Sequence, residues 1–361
     1  MARFASLLLL LLLTLAAPGL AQEGNPLDKP AQPDAGAKPF DKDAPVVVPE
    51  EAWTGVTKGP RKLVHTFQKG GASRYAVKQR TEVDQGPMGS QTMEQVFEVR
   101  REVVDAPAEG GARLKETYEQ VVFTIEAQGQ TLTMDTRDGT SSGNPVIDAM
   151  GGMVGGSTES RVAKDGRVEQ VTGAGDLVGR ILEKTPEEHR PMLEQNLGQS
   201  MTDEKLGQQM QESLVVFPDK ELASGDSWRR ETTNEIPNLG SLAMFNDYVY
   251  LGTVEHGGVE CAKLHVRIRS PGKEKFETML QGTPATISMP GFETSSTILV
   301  RASDGEPVEG GPVVVTITVH VEVAGQALTV VNKTTSHSVR LADGEKTPEG
   351  QKNPLGGEAP R

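Results

Sequence analysis

Cysteine is almost absent from this chain. Cys261 is the single cysteine among 361 residues, so no disulfide can form within the chain. No obvious base lies near it in the sequence, and a thiol that is not activated is a weak nucleophile. We expect Cys261 to be a small, buried or half-buried residue of a strand.

Positive charge and aromatic side chains are also scarce. Lys and Arg number 37 against 50 Asp and Glu, which gives a formal net charge of −13. Nucleic acid and anionic lipid surfaces both attract basic proteins, so the composition argues against both partners. Aromatic residues make up 4% of the chain and glycine occurs 40 times. This favours a β-rich protein with many turns over an enzyme with a large aromatic-lined cleft.

Long hydrophobic runs are confined to the first residues. Arg3 is followed by the apolar run Leu7–Leu15, which only Thr14 interrupts, and by the small-residue cleavage signal Gly19-Leu20-Ala21. This pattern predicts a secretory signal peptide over residues 1–21, because its apolar run is too short to cross a bilayer. We therefore expect a protein secreted across the inner membrane, periplasmic or extracellular, without a transmembrane segment.

Composition divides the rest of the chain into three parts. Residues 22–60 contain seven prolines and few apolar side chains, which predicts a disordered linker. Residues 342–361 have a similar composition and predict a disordered tail. Between them we expect one β-rich domain over 62–341, with halves at about 62–172 and 215–341.

Alternating apolar and polar residues dominate this domain. Apolar side chains occupy every second position of segments 262–268 and 313–323, as in strands with one buried face. Over about 175–214 leucine and methionine recur at helical spacing instead, and Thr185-Pro186-Glu187-Glu188 has the pattern of a capping box. The predicted fold class is α+β, mostly β. We expect a large curved antiparallel sheet or open barrel, built from two meander halves with a helical insertion at about 175–214.

Two stretches about 200 residues apart resemble each other: FTIEAQGQTLTMD at 123–135 and VHVEVAGQALTVV at 319–331. Each follows a Glu-Gly-Gly turn signal, at 109–111 and 309–311. The shared Gly-Gln predicts a hairpin turn in both, at 128–130 and 324–326. The stretches indicate either one three-stranded meander used twice or the convergence of similar amphipathic strands.

Two features could line a ligand cavity. The glycine-rich stretch Gly143–Ser157 carries two methionines and is either a mobile lid over an apolar cavity or an ordinary connection. A basic row along one strand predicts either an anion-binding strip or cross-strand pairing with acidic residues. That row consists of Lys263, His265, Arg267 and Arg269. The candidate ligand-cavity residues are Met150, Met153, His265 and Arg267.

Known motifs of catalysis do not occur. The glycine-rich stretch lacks the Gly-Lys-Ser/Thr ending of a phosphate-binding loop, and no two histidines have the spacing of a HExxH site. Ser227 is not followed two residues later by the glycine of a nucleophile elbow. We therefore predict no catalytic residue, no cofactor and no metal site.

Three segments carry a resemblance to a known family: LVHTFQKGGASRY at 63–75, KDGRVEQVTG at 164–173 and FPDKELASGDSW at 217–228. Together with the closing strands around GQALTV, they are similar to an uncharacterised family of secreted, β-rich bacterial envelope proteins of the planctomycete type. The resemblance covers most of 62–341 and implies a fold but no catalytic residue. In architecture alone, a sheet with inserted helices also resembles the periplasmic lipoprotein carriers, half-barrels that hold acyl chains.

These observations favour a non-enzymatic protein that binds a lipid or another hydrophobic ligand between sheet and helices. The alternative is a structural or interaction protein of the cell envelope without a small-molecule ligand. An enzyme would need side chains such as His265 and His320 to meet acidic residues in a cleft.

Overall fold

The computed structural model of the protein describes residues 40–86, 89–236, 240–280, 283–323 and 325–342. The expected signal peptide, residues 22–39 of the expected linker and residues 343–361 of the expected tail lie outside the described residues.

Strands make up most of the described chain. They are β1 (Arg61–Lys62), β2 (Ala72–Asp84), β3 (Ser90–Asp105), β4 (Ala112–Ala127), β5 (Gln130–Asp135), β6 (Ser157–Val162), β7 (Val168–Thr172), β8 (Glu221–Leu222), β9 (Ser227–Ile236), β10 (Gly240–His256), β11 (Val259–Leu280), β12 (Thr283–Arg301), β13 (Pro307–Val323) and β14 (Gln326–Leu341). The α-helices are α1 (Pro145–Ala149), α2 (Ala174–Glu183), α3 (Arg190–Ser200) and α4 (Asp203–Ser213), and short 3₁₀ helices occupy Glu50–Trp53 and Met150–Met153.

One antiparallel sheet of 12 strands organises the molecule. Its order is β7-β6-β4-β3-β2-β14-β13-β12-β11-β10-β9, with β5 also paired to β4, and β1 pairs separately with β8. The two halves of the chain are therefore two meanders, and they join where β2 pairs with β14, for example Lys78 opposite His337. Within the described residues β7 and β9 do not pair, so the sheet stays open. The predicted fold class is confirmed.

Each half has its own apolar core. In the first half, α2 packs against β6 and the 3₁₀ turn, and α4 packs against β7. Leu177, Ile181 and Leu197 are fully buried there. In the second half, the apolar faces of β10 to β13 form the core, together with Leu63 and Phe217 from the connecting segments. The predicted helical insertion is confirmed, and it covers one half of the sheet.

One helix start was predicted at the wrong residue. We expected Thr185 to cap a helix beginning at Pro186, but α3 begins at Arg190. The Thr185 hydroxyl instead donates to the carbonyl oxygen of Ile181 at 2.8 Å. Its side chain therefore completes the last turn of α2 and is not available as a cap.

The two similar stretches do form hairpins. Ala127 pairs with Gln130 between β4 and β5, and Val323 pairs with Gln326 between β13 and β14, although residue 324 lies outside the described residues. The turn signal at 309–311 was wrong, because these residues lie inside β13 at a register shift. Among the described residues, β5 pairs with β4 and with no other strand, whereas β14 is a long central strand. The two copies therefore share a hairpin and not a position in the sheet.

The first hairpin turn predicts a stabilising substitution. Gln128 has a φ of +52°, and it precedes Gly129 with a φ of +76°. Asparagine tolerates this left-handed conformation better than glutamine, and Asn-Gly is the preferred pair in such turns. We expect Gln128→Asn to raise the free energy of unfolding by about 0.5 to 1 kcal/mol, as measured by urea denaturation. Gln130→Asn, on the strand side of the turn, should bring no gain, and equal effects of the two changes would contradict this explanation.

Candidate functional site

The two predicted methionines lie in the core of the first half. Met150 and Met153 occupy the 3₁₀ turn and are 8% and 5% exposed. The preceding helix α1, which was not predicted, begins at the side chain of Asn144, whose oxygen accepts from the backbone of Val146 and Ile147. Gly152 lies so close to α2 that a Cβ would stand 2.4 Å from the Arg180 carbonyl oxygen. The glycine-rich stretch is thus a packed connection.

The other two candidates, His265 and Arg267, lie in the second half of the chain. They lie beneath residues 40–57, which we call the strap. The strap belongs to the segment for which composition predicted a disordered linker, whereas in the structure it packs against the second half of the sheet. Thr57 forms a β-bridge with Thr253, and Ala52 is buried against Leu251. The four predicted site residues are therefore not brought together.

The basic row binds the backbone of the strap. Arg267 donates to the carbonyl oxygens of Ala44 (2.6 Å) and Pro45 (2.9 Å). Arg269 donates in the same way to Asp41 (2.7 Å) and Lys42 (2.9 Å), and Lys263 donates to Thr54 (3.3 Å). Every residue has a backbone carbonyl oxygen, so the amino-acid composition does not predict this contact.

A single carboxylate anchors this row. Asp247 lies opposite Arg267 on the neighbouring strand and binds Arg229 at 2.6 Å and both Arg267 and Arg269 at 2.9 Å. Burial alone would raise the pKa of Asp247, but the hydrogen bonds from Arg229 and Arg267 hold it below its ordinary value. Cross-strand pairing was one of the two interpretations of this row, and it is the one that the geometry shows.

The structure instead places a cavity of about 160 Å³ at the end of the β2–β14 pair. We call it the seam cavity, because it lies where the two meanders join. Its charged lining comes from four separate strands or loops: Arg101, Arg301, Asp304, Glu306 and Arg340. Its apolar lining includes Phe67, Val103, Leu114 and Leu214. The segment between β1 and β2 covers it from one side.

Glu306 is the best-connected group of the seam cavity. Its carboxylate accepts hydrogen bonds from Ser73, from Tyr75 at 2.7 Å and from Arg301, and Arg340 lies at 3.5 Å. Burial raises the pKa of Tyr75, so its hydroxyl stays a donor to Glu306. The loop before β13 is thereby tied to the first and last long strands.

Arg101 projects from β3 into the same cavity and is 9% exposed. Its Nε and Nη2 donate to one oxygen of Glu116, at 3.0 and 2.7 Å, and Nη2 also donates to Ser213 at 3.1 Å. The guanidinium lies over the ring of Tyr75, 4.9 Å from its centroid. Although burial would lower the pKa of Arg101, the Glu116 carboxylate keeps it above the ordinary value.

His65 closes one wall of the seam cavity. The carbonyl of Val215 can only accept, so the 2.7 Å contact with Nε2 places the ring proton on that nitrogen. The ring packs between Phe67 and Phe217, with centroids 5.8 and 4.7 Å away. A Cβ on Gly166 would stand 2.4 Å from Nε2, so the histidine requires glycine there.

Residues 109–305 match the model of a family described as Family of unknown function (DUF6263). This range is more than half of the 361 residues. The chain belongs to this family. No curated protein matches the chain. A solved structure concerning lipid–protein interactions in lipovitellin is similar over 79% of this chain and 27% of that chain, with 7% sequence identity and a TM-score of 0.38. This likeness is too distant to indicate a shared ligand.

The three segments that carried the resemblance meet at His65. The first contains His65 itself, the second contains Gly166, and the third begins at Phe217. No pattern in the sequence selects His65, Arg101 or Glu306 as site residues. Their only signal was indirect: the first of the three segments lines the cavity, and the other two pack against His65 through Gly166 and Phe217.

Two further observations concern the described residues alone. No helix among them is both long and apolar enough to cross a membrane. No group of three or more His, Cys, Asp or Glu side chains within these ranges could hold a metal ion. Cys261 is fully buried, and burial raises the pKa of its thiol.

The buried histidines predict that acid destabilises the protein. Burial lowers the pKa of both His65 and His265, and the Nε2 of His265 has no hydrogen-bond partner among the described residues. In the unfolded chain a histidine takes up a proton near pH 6.5. The unfolded state therefore binds more protons below that pH, and the stabilising contribution, complete above it, is lost as the pH falls.

The His65→Gln variant tests this linkage. In the unmodified protein we expect the unfolding free energy to fall between pH 7.5 and pH 5.5. In His65→Gln this fall should be smaller by about 1 kcal/mol, as measured by urea denaturation at both pH values. His320→Gln removes a half-buried histidine of β13 and serves as the control. If both variants show the same pH dependence as the parent, burial of His65 does not control it.

The strap predicts a second effect on stability. Changing Arg267 and Arg269 to Gln together leaves buried Asp247 with Arg229 alone and removes four bonds to the strap. We expect a loss of about 3 kcal/mol in unfolding free energy, together with faster trypsin cleavage after Lys58. Lys333→Gln, which breaks a half-exposed pair with Glu82 at 3.6 Å, is the control and should cost less than about 1 kcal/mol. Unchanged cleavage would show that the arginines do not hold the strap.

Proposed function

We propose that this protein is secreted into the periplasm or the extracellular space and binds a small hydrophobic ligand in the seam cavity without transforming it. The observation that supports this is the cavity itself, which combines an apolar wall with convergent polar groups at the junction of two halves. Binding sites have this composition and prefer such junctions. The leader pattern of residues 1–21 supports the location, and the envelope of bacteria of the planctomycete type is the setting that we infer from the resemblance.

Cavity size limits the ligand. A buried space of roughly 150 Å³ holds a molecule the size of benzene, and the seam cavity has about 160 Å³. A complete long acyl chain is much larger than this. We infer that the ligand is a small molecule, or that only one end of a longer lipid enters.

A structural or interaction role in the envelope is the second candidate. The packing of both cores favours this role. Met153, between helix and sheet, is 5% exposed, and Leu264, within the second meander, is 0% exposed. The protein's own side chains thus occupy the places where a lipid carrier would hold acyl chains. In this case an envelope protein would be the partner.

Obstructing the cavity distinguishes the two candidates. Ala72 is exposed and lines the seam cavity at the start of β2, so Ala72→Trp should fill its mouth without disturbing a core. We expect native mass spectrometry of the protein from its own host to show a co-purifying small hydrophobic molecule, and Ala72→Trp to lose it.

The control is Ser90→Trp, an equally exposed substitution at the start of β3, which does not line the cavity and should keep the ligand. A ligand-free mass for the parent protein, combined with no thermal shift across a panel of lipids and small aromatic compounds, would favour the structural role.

A further inference from the structure

We propose that the seam cavity recognises a small monocarboxylate through Arg101, an assignment that rests on the proposed binding function and specifies its ligand class. The ligand would place its carboxylate on the guanidinium and its short aliphatic or aromatic group on the apolar wall. Three features of the cavity lead to this assignment: a fixed arginine with a spare donor, carboxylates that are already satisfied, and a limited volume.

Arg101 is held in one orientation with one edge available. Glu116 and Ser213 take up Nε and Nη2, and the ring of Tyr75 supports the plane of the guanidinium. The Nη1 group of Arg101 has no hydrogen-bond partner among the described residues, while the side chain lines the cavity and is 9% exposed. This nitrogen is open to the cavity and already oriented, so it can donate to an acceptor placed there without a rearrangement of the side chain.

The other charged groups of the lining are already paired with one another. The Nε of Arg340 lies 3.5 Å from Oε2 of Glu306, and its Nη2 donates to the Ser73 hydroxyl at 3.4 Å. Glu306 accepts from Ser73, Tyr75 and Arg301, and Asp304 accepts from Arg301 at 2.9 Å. With Glu116 included, the cavity has three arginines and three carboxylates, so their charges balance. The preference for an acceptor therefore comes from the spare donor of Arg101 and not from net charge. A carboxylate forms the strongest hydrogen bonds with arginine.

The apolar wall determines the rest of the ligand. Phe67, Val103, Leu114 and Leu214 line the cavity. Their side chains offer no hydrogen bonds, so the part of the ligand that contacts them is apolar. A volume of about 160 Å³ is close to that of a cavity that holds benzene, roughly 150 Å³, so the group that contacts this wall is a single ring or a short chain. Phenylacetate and hexanoate meet both requirements.

Calorimetric titration with phenylacetate and with its neutral analogue phenylacetamide tests the proposal. We expect the acid to bind the full-length mature protein at least tenfold more tightly than the amide, because only the acid gives a charge-assisted contact with Arg101. Hexanoate should bind, and Ala72→Trp should abolish binding of both acids.

The double variant Arg101→Leu/Glu116→Leu removes the recognition group together with its partner, so no buried charge is left unpaired. It should bind phenylacetate no more tightly than phenylacetamide. Arg101→Lys keeps the charge and loses the planar fork, and it should weaken the acid at least tenfold if the double variant does not fold. Arg80→Leu/Glu94→Leu, which removes another ion pair between β2 and β3, should leave both affinities unchanged.

Each failure has a separate meaning. Equal affinity for acid and amide, with both lost in Ala72→Trp, overturns carboxylate recognition but leaves a hydrophobic ligand in the cavity. Absence of binding by phenylacetate and hexanoate also overturns the carboxylate assignment. If in addition the protein from its host carries no ligand that Ala72→Trp removes, the proposed function fails as well.

Discussion

The pairing of β2 with β14 is the constraint on which the rest of the structure depends. These strands are the first and last long strands of the described chain, and 11 residue pairs, from Leu341 opposite Arg74 to Val331 opposite Asp84, hold them together. Each meander consists of local hairpins, but only this long-range pair unites them in one sheet. It also brings the start of β2, the end of β14 and the loop before β13 to one place, where the seam cavity lies.

A carboxylate that binds several arginines lies at each end of the second meander, and of these two Asp247 is buried and Glu306 is half-buried. Asp247 binds three arginines beneath the strap, and Glu306 binds two arginines and two hydroxyl groups at the cavity. A buried charge is tolerated only when its partners are complete. The two clusters differ in the remaining hydrogen-bond donors of their arginines. Beneath the strap these donors bind backbone carbonyls of the chain itself, whereas the Nη1 of Arg101 faces the seam cavity.

Sequence patterns predicted the parts of the fold that depend on residues close together in the chain. Alternation identified strands, the shared Gly-Gln identified two hairpins, and helical spacing placed the insertion. The errors arose where a side chain had two possible partners: Thr185 bonds backward to Ile181, and Arg267 bonds a strap that composition assigned to a linker. The site was not predictable, because Arg101 and Glu306 are about 200 residues apart and approach only through the β2–β14 pair.

The packing around His65 explains how a pattern of turns can mark the surroundings of a cavity. Gly166 and Gly305 both approach the His65 ring, with a Cβ at Gly305 standing 3.0 Å from Nδ1, so neither position accepts a larger residue without moving the histidine. Moving the histidine would shift the segment between β1 and β2, which covers the seam cavity and contributes Phe67 to its wall. Glycines outside the lining of the cavity therefore help to fix its geometry. One of them, Gly166, belongs to a segment that carries the family resemblance, so a turn-forming residue of that pattern constrains the cavity from outside it.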